Sequence, residues 1–288
     1  MAATQLPVIV RRRARSVDAG FGTGLLVTGV VLLGIVAVAA LAAPLLTSWG
    51  PMQIDPNATL RPPGGTHLLG TDSNGMDVWS RLLHSVAVDL GVAVTAVALA
   101  VVLGSTVGLV CGFRGGWLDD TAMRVVDMLQ AFPTFILALA VAALLGPGIG
   151  NLIVVLAVVN APAYARLVRA EVRTVRELPY VDAARLSGSR VVGMLWRHVL
   201  PNSVMPVRVL APLNCGWAML ALAGLSFVGL GVPIPQPEWG AMISIGSSDI
   251  VAGRWWTSVP PGLALLVCVL AFSMIGEGLQ ERSMRRST

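Results

Sequence analysis

Apolar positions in this chain gather into six long runs, separated by stretches rich in arginine, proline, glycine and small polar residues. The runs cover Thr23–Leu46, Ala87–Cys111, Met123–Leu145, Leu152–Val168, Val204–Leu230 and Pro260–Ile275. A helix needs roughly 20 apolar residues to cross about 30 Å of hydrocarbon, so the pattern predicts an all-α membrane protein with six transmembrane helices, the fourth short and interrupted by Pro162. The first run follows Arg11–Arg15 and contains Ala40-Leu41-Ala42, which looks like a signal-peptide cleavage site. A signal's apolar region is roughly 7–15 residues, and this longer run is expected to stay as a membrane span.

Between the first and second spans, residues 47–86 carry Pro51, Asp55-Pro56-Asn57 and Pro62-Pro63-Gly64-Gly65. Lipid cannot satisfy such irregular backbone, so this loop is expected in water or against protein. Its end places Val78, Trp79, Leu82 and Leu83 at helical spacing after Asp77, which predicts a short amphipathic helix capped by Asp77. That helix reads as interfacial or as a contact to a partner outside the membrane. Arg124 and Asp127 stand three apart at the start of the third span and predict an interfacial i,i+3 ion pair.

Composition changes the picture little, because 55% hydrophobic and 12% charged residues with a mean hydropathy of +0.77 exclude a soluble core of this length. Charge adds orientation. The chain has no lysine, and its arginines fall mainly on one side of the predicted spans. That side holds Arg11, Arg12, Arg13, Arg15, Arg114, Arg124, the eight arginines from Arg166 to Arg208, and Arg282, Arg285 and Arg286, leaving Arg61, Arg81 and Arg254 opposite. The positive-inside bias predicts both termini in the cytoplasm. The net charge of +5 therefore reflects topology and anionic lipid heads, and nucleic-acid binding is not expected. Cys111, Cys215 and Cys268 lie in or beside apolar runs without C-x-x-C spacing and read as buried small hydrophobes, with no metal site expected.

The fourth-to-fifth connection, about residues 170–203, carries the sharpest signal. It reads as helical and is punctuated at Pro179 and Gly188. Within it, Asp182 precedes two small residues, Ala183 and Ala184, that allow close approach of a short helix to a partner, and Gly188 supplies a turn. The segment resembles the cytoplasmic loop of the membrane subunits of binding-protein-dependent ABC importers, which follows E-A-A, three residues, G, nine residues, I-x-L-P. Here Asp182-Ala183-Ala184, Arg185 to Ser187, Gly188, Ser189 to Arg197 and His198-Val199-Leu200-Pro201 match at full spacing, with Asp182 in place of Glu and His198 in place of an aliphatic residue.

The resemblance narrows to the second permease of dipeptide and oligopeptide importers. Leu69-Gly70-Thr71-Asp72, Gly75, Asp77 and Ser80-Arg81-Leu82-Leu83 carry it, as do Met123-Arg124, Asp127 and Phe132-Pro133, then Leu225 to Gly231, Pro237-Glu238-Trp239-Gly240, Trp255-Trp256 and Gly276 to Leu279. Met76, Ser273, Glu277 and Gln280 depart from that group's usual Arg, Asn, Asp and Arg. The resemblance implies a type I ABC importer permease fold in a prokaryotic plasma membrane. It implies a cytoplasmic tail over residues 1–19, a first helix over 20–46, the external loop over 47–86, a five-helix core over 87–281 and a tail over 282–288. Asp182, Ala183, Ala184, Arg185, Gly188, Leu200 and Pro201 would couple to an ATPase subunit, while Asp72, Gly75, Asp77, Arg81, Trp239 and Gly240 would serve the extracytoplasmic interface. Implied partners are a second, homologous permease, one or two cytoplasmic ABC ATPases that bind ATP and Mg, and an extracytoplasmic binding protein.

A P-loop needs a lysine, so this chain is expected to be non-catalytic and without a cofactor of its own. Asn160, Asn214, Gln130, Tyr164 and Ser226 are the span residues suited to an aqueous path or to hydrogen bonds between helices. Pro133, Pro162, Pro206 and Pro212 either kink spans around a vestibule or are tolerated in packed helices. A nickel, haem or metal-chelate importer is the alternative within the same class. An ion-coupled secondary transporter would require intramembrane acids, for which Asp89 is the nearest candidate. A purely structural membrane protein is a third reading, which substrate-stimulated ATPase activity of the complex would exclude.

Overall fold

The computed structural model describes residues 8–179, 181, 193 and 199–286, and the described residues are helices joined by loops. In chain order the helices are α1 (Val8–Leu41), α2 (Ala43–Leu46), α3 (Val78–Arg114), α4 (Gly116–Gln130), α5 (Thr134–Leu145), α6 (Ile149–Val175), α7 (Leu200–Ser203), α8 (Met205–Phe227), α9 (Trp239–Val251) and α10 (Val259–Arg286), with a 3₁₀ turn at Trp255–Thr257. Five helices, α1, α3, α6, α8 and α10, have the length and apolarity to cross a membrane, and α4 with α5 makes a sixth span if the bent pair counts as one.

The third apolar run departs from a straight helix. It breaks at Ala131–Pro133 and turns by 93°. Pro133 has no N–H to give to the preceding turn, and a proline disfavours helical backbone at the residue before it, so α4 ends there. The amphipathic segment expected after Asp77 is the first turns of α3, which runs through into the second span without interruption and reaches about 55 Å at 1.5 Å per residue.

α3 and α6 form the principal packed pair, with α8 and α10 against them and α1 laid on α10. The α3–α6 seam is built from Gly104, Gly108 and Gly112, one turn apart. A Cβ on these glycines would fall 2.4 Å from the Ala161 carbonyl oxygen, 2.5 Å from that of Ala165 and 2.8 Å from that of Arg169. Lipid offers no hydrophobic drive between helices, so such small-residue seams replace it with close backbone approach. Gly108→Val is therefore expected to lower the stability of the purified protein by about 1–3 kcal/mol through overpacking. Gly91→Val, on the same helix with open space beside it, should leave the thermal midpoint unchanged in the same detergent.

The core fills the space between α3, α6 and α8 with Ala93, Ala96, Ala100, Leu152, Leu156, Tyr164, Met219, Leu222 and Leu225, all buried. α1 instead exposes Val27, Val30, Ile35 and Val38, as a lipid-facing helix does. The three cysteines are free and buried, in keeping with their reading as small hydrophobes.

Candidate functional site

Residues 47–77 fold over one end of the bundle as a cap that is held by buried polar side chains. Asp72 Oδ1 accepts the Asn74 and Met76 N–H groups, each at 2.9 Å, closing a local turn. Gly75 completes it with φ +75°, where a Cβ would fall 2.4 Å from the Asp55 carbonyl oxygen. Asp77 caps α3 as expected, with its Oδ1 accepting the Ser80 N–H at 2.7 Å. Its Oδ2 lies 2.9 Å from Nδ1 of His67, a buried ring packed against Trp49 with centroids 4.6 Å apart and planes tilted by 31°.

Arg81 is 1% exposed and fastens three segments. Its Nη1 donates to the carbonyls of Pro51 and Pro235, both at 3.1 Å, and meets Met76 Sδ at 2.8 Å, while Nε sits 3.7 Å from Asp72 Oδ2. Burial raises the Asp72 carboxyl above its ordinary range, outweighing the Met76 N–H and the Arg81 charge.

The helix α9, between the fifth and sixth spans, ties into the same end. Glu238 caps it, its two carboxyl oxygens accepting the Gly240 and Ala241 N–H groups at 2.7 Å. Trp239 donates from Nε1 to the Leu82 carbonyl at 3.1 Å and from its backbone to Asp89 Oδ2 at 3.3 Å. Gly240 packs so tightly on α8 that a Cβ would fall 2.4 Å from Ala223 Cα. The six residues expected to serve an external interface, Asp72, Gly75, Asp77, Arg81, Trp239 and Gly240, are thus all buried within the cap and set its shape.

Asp89 also lies here, fully buried, its Oδ2 taking the Trp239 N–H while Glu238 takes the next two N–H groups of the same helix start. Its Oδ1 receives no donor among the described residues. Glu238 belongs to a segment that carries the resemblance, yet only its neighbours Trp239 and Gly240 are expected at a site from the sequence. The available signal is a carboxylate ahead of Trp-Gly at a helix start, but Glu is an uncommon cap.

Midway along the bundle, a cavity of about 210 Å³ is lined by Leu129, Gln130, Thr134, Leu137, Val159, Asn160, Ala163, Asn214 and Trp217. Three of the polar span residues expected to face water or other helices therefore converge. A fourth, Tyr164, stands directly behind them, its hydroxyl accepting Asn214 Nδ2 at 2.9 Å. Ser226 lies apart, at the cap end beside Glu238.

At the end remote from the cap, Asp119 on α4 is buried against Arg169 and Arg173 of α6. Asp127 pairs with Arg166 at 2.5 Å, which corrects the expected Arg124–Asp127 pair. The bend in the third span lays α4 along α6, and a cation on that neighbouring helix reaches the carboxylate in place of one on its own. Asp182, Ala183, Ala184, Arg185 and Gly188 lie outside the described residues. Val199 is buried, and Leu200 and Pro201 open the short helix α7 against α6.

Comparison with known proteins places these features in context. Residues 104–288 match the family model described as the inner membrane component of binding-protein-dependent transport systems. A dipeptide transport system permease protein of Alkalihalophilus pseudofirmus is 38% identical over 257 residues, covering 89% of this chain and 84% of the relative. A glutathione transport system permease protein of Pectobacterium atrosepticum is 37% identical, covering 88% and 84%. A probable D,D-dipeptide transport system permease protein of Escherichia coli is 36% identical, covering 90% and 87%.

Proposed function

The chain belongs to the inner membrane components of binding-protein-dependent transport systems, and from that premise we propose that it is the permease subunit of an ATP-driven importer of short peptides, forming half of the translocation path. The observation that carries the reading is the loop pattern Asp182-Ala183-Ala184, Gly188, Leu200-Pro201 at full spacing. It leads straight into α7 and α8, so force applied to the loop reaches two bundle helices by a short covalent route. The names of the similar permeases, which concern dipeptides and glutathione, support peptides as the cargo.

Without a lysine the chain has no P-loop, so the energy comes from elsewhere. Two cytoplasmic ATPase domains, in one chain or two, bind ATP and Mg and close on each other. Each grips the short helix of one permease in a groove, and Asp182, Ala183, Ala184 and Arg185 make the contact while Gly188 sets the angle. The motion is helix-in-groove recognition driving a bistable bundle. A second, homologous permease completes the path, and an extracytoplasmic binding protein delivers cargo to the cap. Both termini lie in the cytoplasm by the arginine distribution.

The test is an Ala183→Cys crosslink in the working complex, which should capture an ATP-hydrolysing subunit. Removal of the Asp182–Gly188 segment should abolish uptake into proteoliposomes while the membrane part still assembles and ATP is still hydrolysed. If the thiol introduced by Ala183→Cys reached no ATPase in active assemblies, the coupling scheme would be overturned.

A further inference from the structure

The mid-bundle cavity has a chemistry that the family assignment does not explain. We propose that Gln130, Thr134, Asn160 and Asn214 form a subsite of the translocation path that hydrogen-bonds the backbone amides of a passing peptide. The inference rests on the peptide-import reading and names the groups that meet the cargo.

Depth is the first argument. At 1.5 Å per residue Asn214 lies about 14 Å along α8 from its start at Met205 and about 20 Å from Phe227, and Asn160 is similarly central in α6. The second is the break in the third span. Ala131, Phe132 and Pro133 are exposed, non-helical and flanked by Gln130 and Thr134, two residues that line the cavity. Irregular backbone at membrane depth persists only where it is buried in protein or lines water. An exposed break beside a polar cavity fits the second case.

The lining then selects the ligand. It offers three carboxamides and a hydroxyl, with Leu129, Leu137, Val159 and Trp217 between them and no charged side chain. A carboxamide presents both a donor and an acceptor, the same pair a peptide group carries whatever its side chain. Asn160 Nδ2 donates to the Leu156 carbonyl at 2.8 Å, and Asn214 Nδ2 to Tyr164. These bonds fix both groups and leave each Oδ1 as an acceptor for cargo. Gln130 and Thr134 make no side-chain hydrogen bond among the described residues. A fixed charge in this low-dielectric setting would hold a counter-charged cargo too firmly to release it. A metal ion would call for carboxylate, imidazole or thiolate ligands, and the lining has none.

The experiment uses the complete complex with its binding protein in proteoliposomes, comparing uptake of a dipeptide with that of its depsipeptide, in which an ester oxygen replaces the amide N–H. The binding protein is the same throughout, so a change in the ratio between variants reports on the permease. Gln130→Leu is expected to lower dipeptide uptake by about five- to tenfold, the worth of one hydrogen bond, and depsipeptide uptake much less. Thr134→Val should move the ratio the same way, and Gln130→Asn should restore it, with ATP hydrolysis retained in all three. An unchanged ratio in both Gln130→Leu and Thr134→Val, or an equal loss for the two substrates, would overturn the proposal while leaving peptide import intact. Wild-type complex that moves no peptide but accumulates nickel would instead remove the functional reading and this inference with it.

Discussion

Arg81→Met is expected to destabilise the protein by about 3–5 kcal/mol, the cost of leaving a buried charge without its partner. Arg81 is among the largest fully buried side chains, and one of its nitrogens serves the carbonyls of Pro51 and Pro235 together. Methionine fills the stem but supplies no donor, so both carbonyls and the Asp72 carboxylate lose a partner at once. The cap is held by few other long-range bonds of this kind, chiefly the Trp79, Trp256 and Ser80 side-chain donations to Leu46, Thr71 and Trp49 carbonyls. The variant should therefore show a lower thermal midpoint in detergent and faster protease cutting within residues 47–77. Adding Asp72→Asn removes the stranded charge and should recover part of the loss, with a coupling of at least about 1 kcal/mol in the double-mutant cycle. Simple additivity would mean that Asp72 and Arg81 act independently despite the 3.7 Å between them.

Much of this architecture is legible in the sequence because the physics that sets it is periodic or compositional. A 20-residue apolar run has few fates, which is why the long apolar helices and the irregular loop after the first of them can be read directly. Asp77 reads as a cap because a local side-chain bond depends only on neighbours in sequence. Gln130, Asn160, Asn214 and Tyr164 stand out as polar groups in apolar runs, yet nothing local says that they meet. Their convergence depends on how α6 and α8 pack and on a 93° bend that a lone proline in an apolar run does not announce.

The rest is hidden for the same reason. α9 has only 13 residues with glycines and serines among them, too short and mixed for a span and too apolar for an obvious loop. Asp127 has a cation at i−3, and spacing alone does not reveal that Arg166 on another helix lies closer. Glu238 and Asp89 are distant in sequence, so their pairing is tertiary information throughout. The residues from Asp182 to Gly188 lie outside the described residues, and the coupling proposed for them rests on sequence pattern and family membership.

The Asp89–Glu238 pair carries a pH prediction whose sign follows from burial. Two buried carboxyls that serve successive N–H groups of one helix start repel each other when both are charged, and no buried cation bonds to either among the described residues. Burial pushes the Glu238 carboxyl above its ordinary range. The folded protein therefore keeps a proton that the unfolded chain has released, and stability falls as pH rises above about 4.5, by about 1.4 kcal/mol per unit until the proton leaves. Asp89→Asn removes the repulsion. Its Oδ1 can still accept the Trp239 N–H, and it puts no charge beside Glu238, so that carboxylate can ionise in place with the Gly240 and Ala241 N–H groups already on it. The variant should match wild type at about pH 5 and exceed it at about pH 8 by at least about 1.4 kcal/mol, read as chemical-denaturation midpoints of the purified protein. Glu238→Ala, which removes the α9 cap, should instead cost about 1–2 kcal/mol at about pH 5, where the charge no longer matters. An Asp89→Asn protein with the same offset from wild type at both pH values would show that the pair holds no such proton.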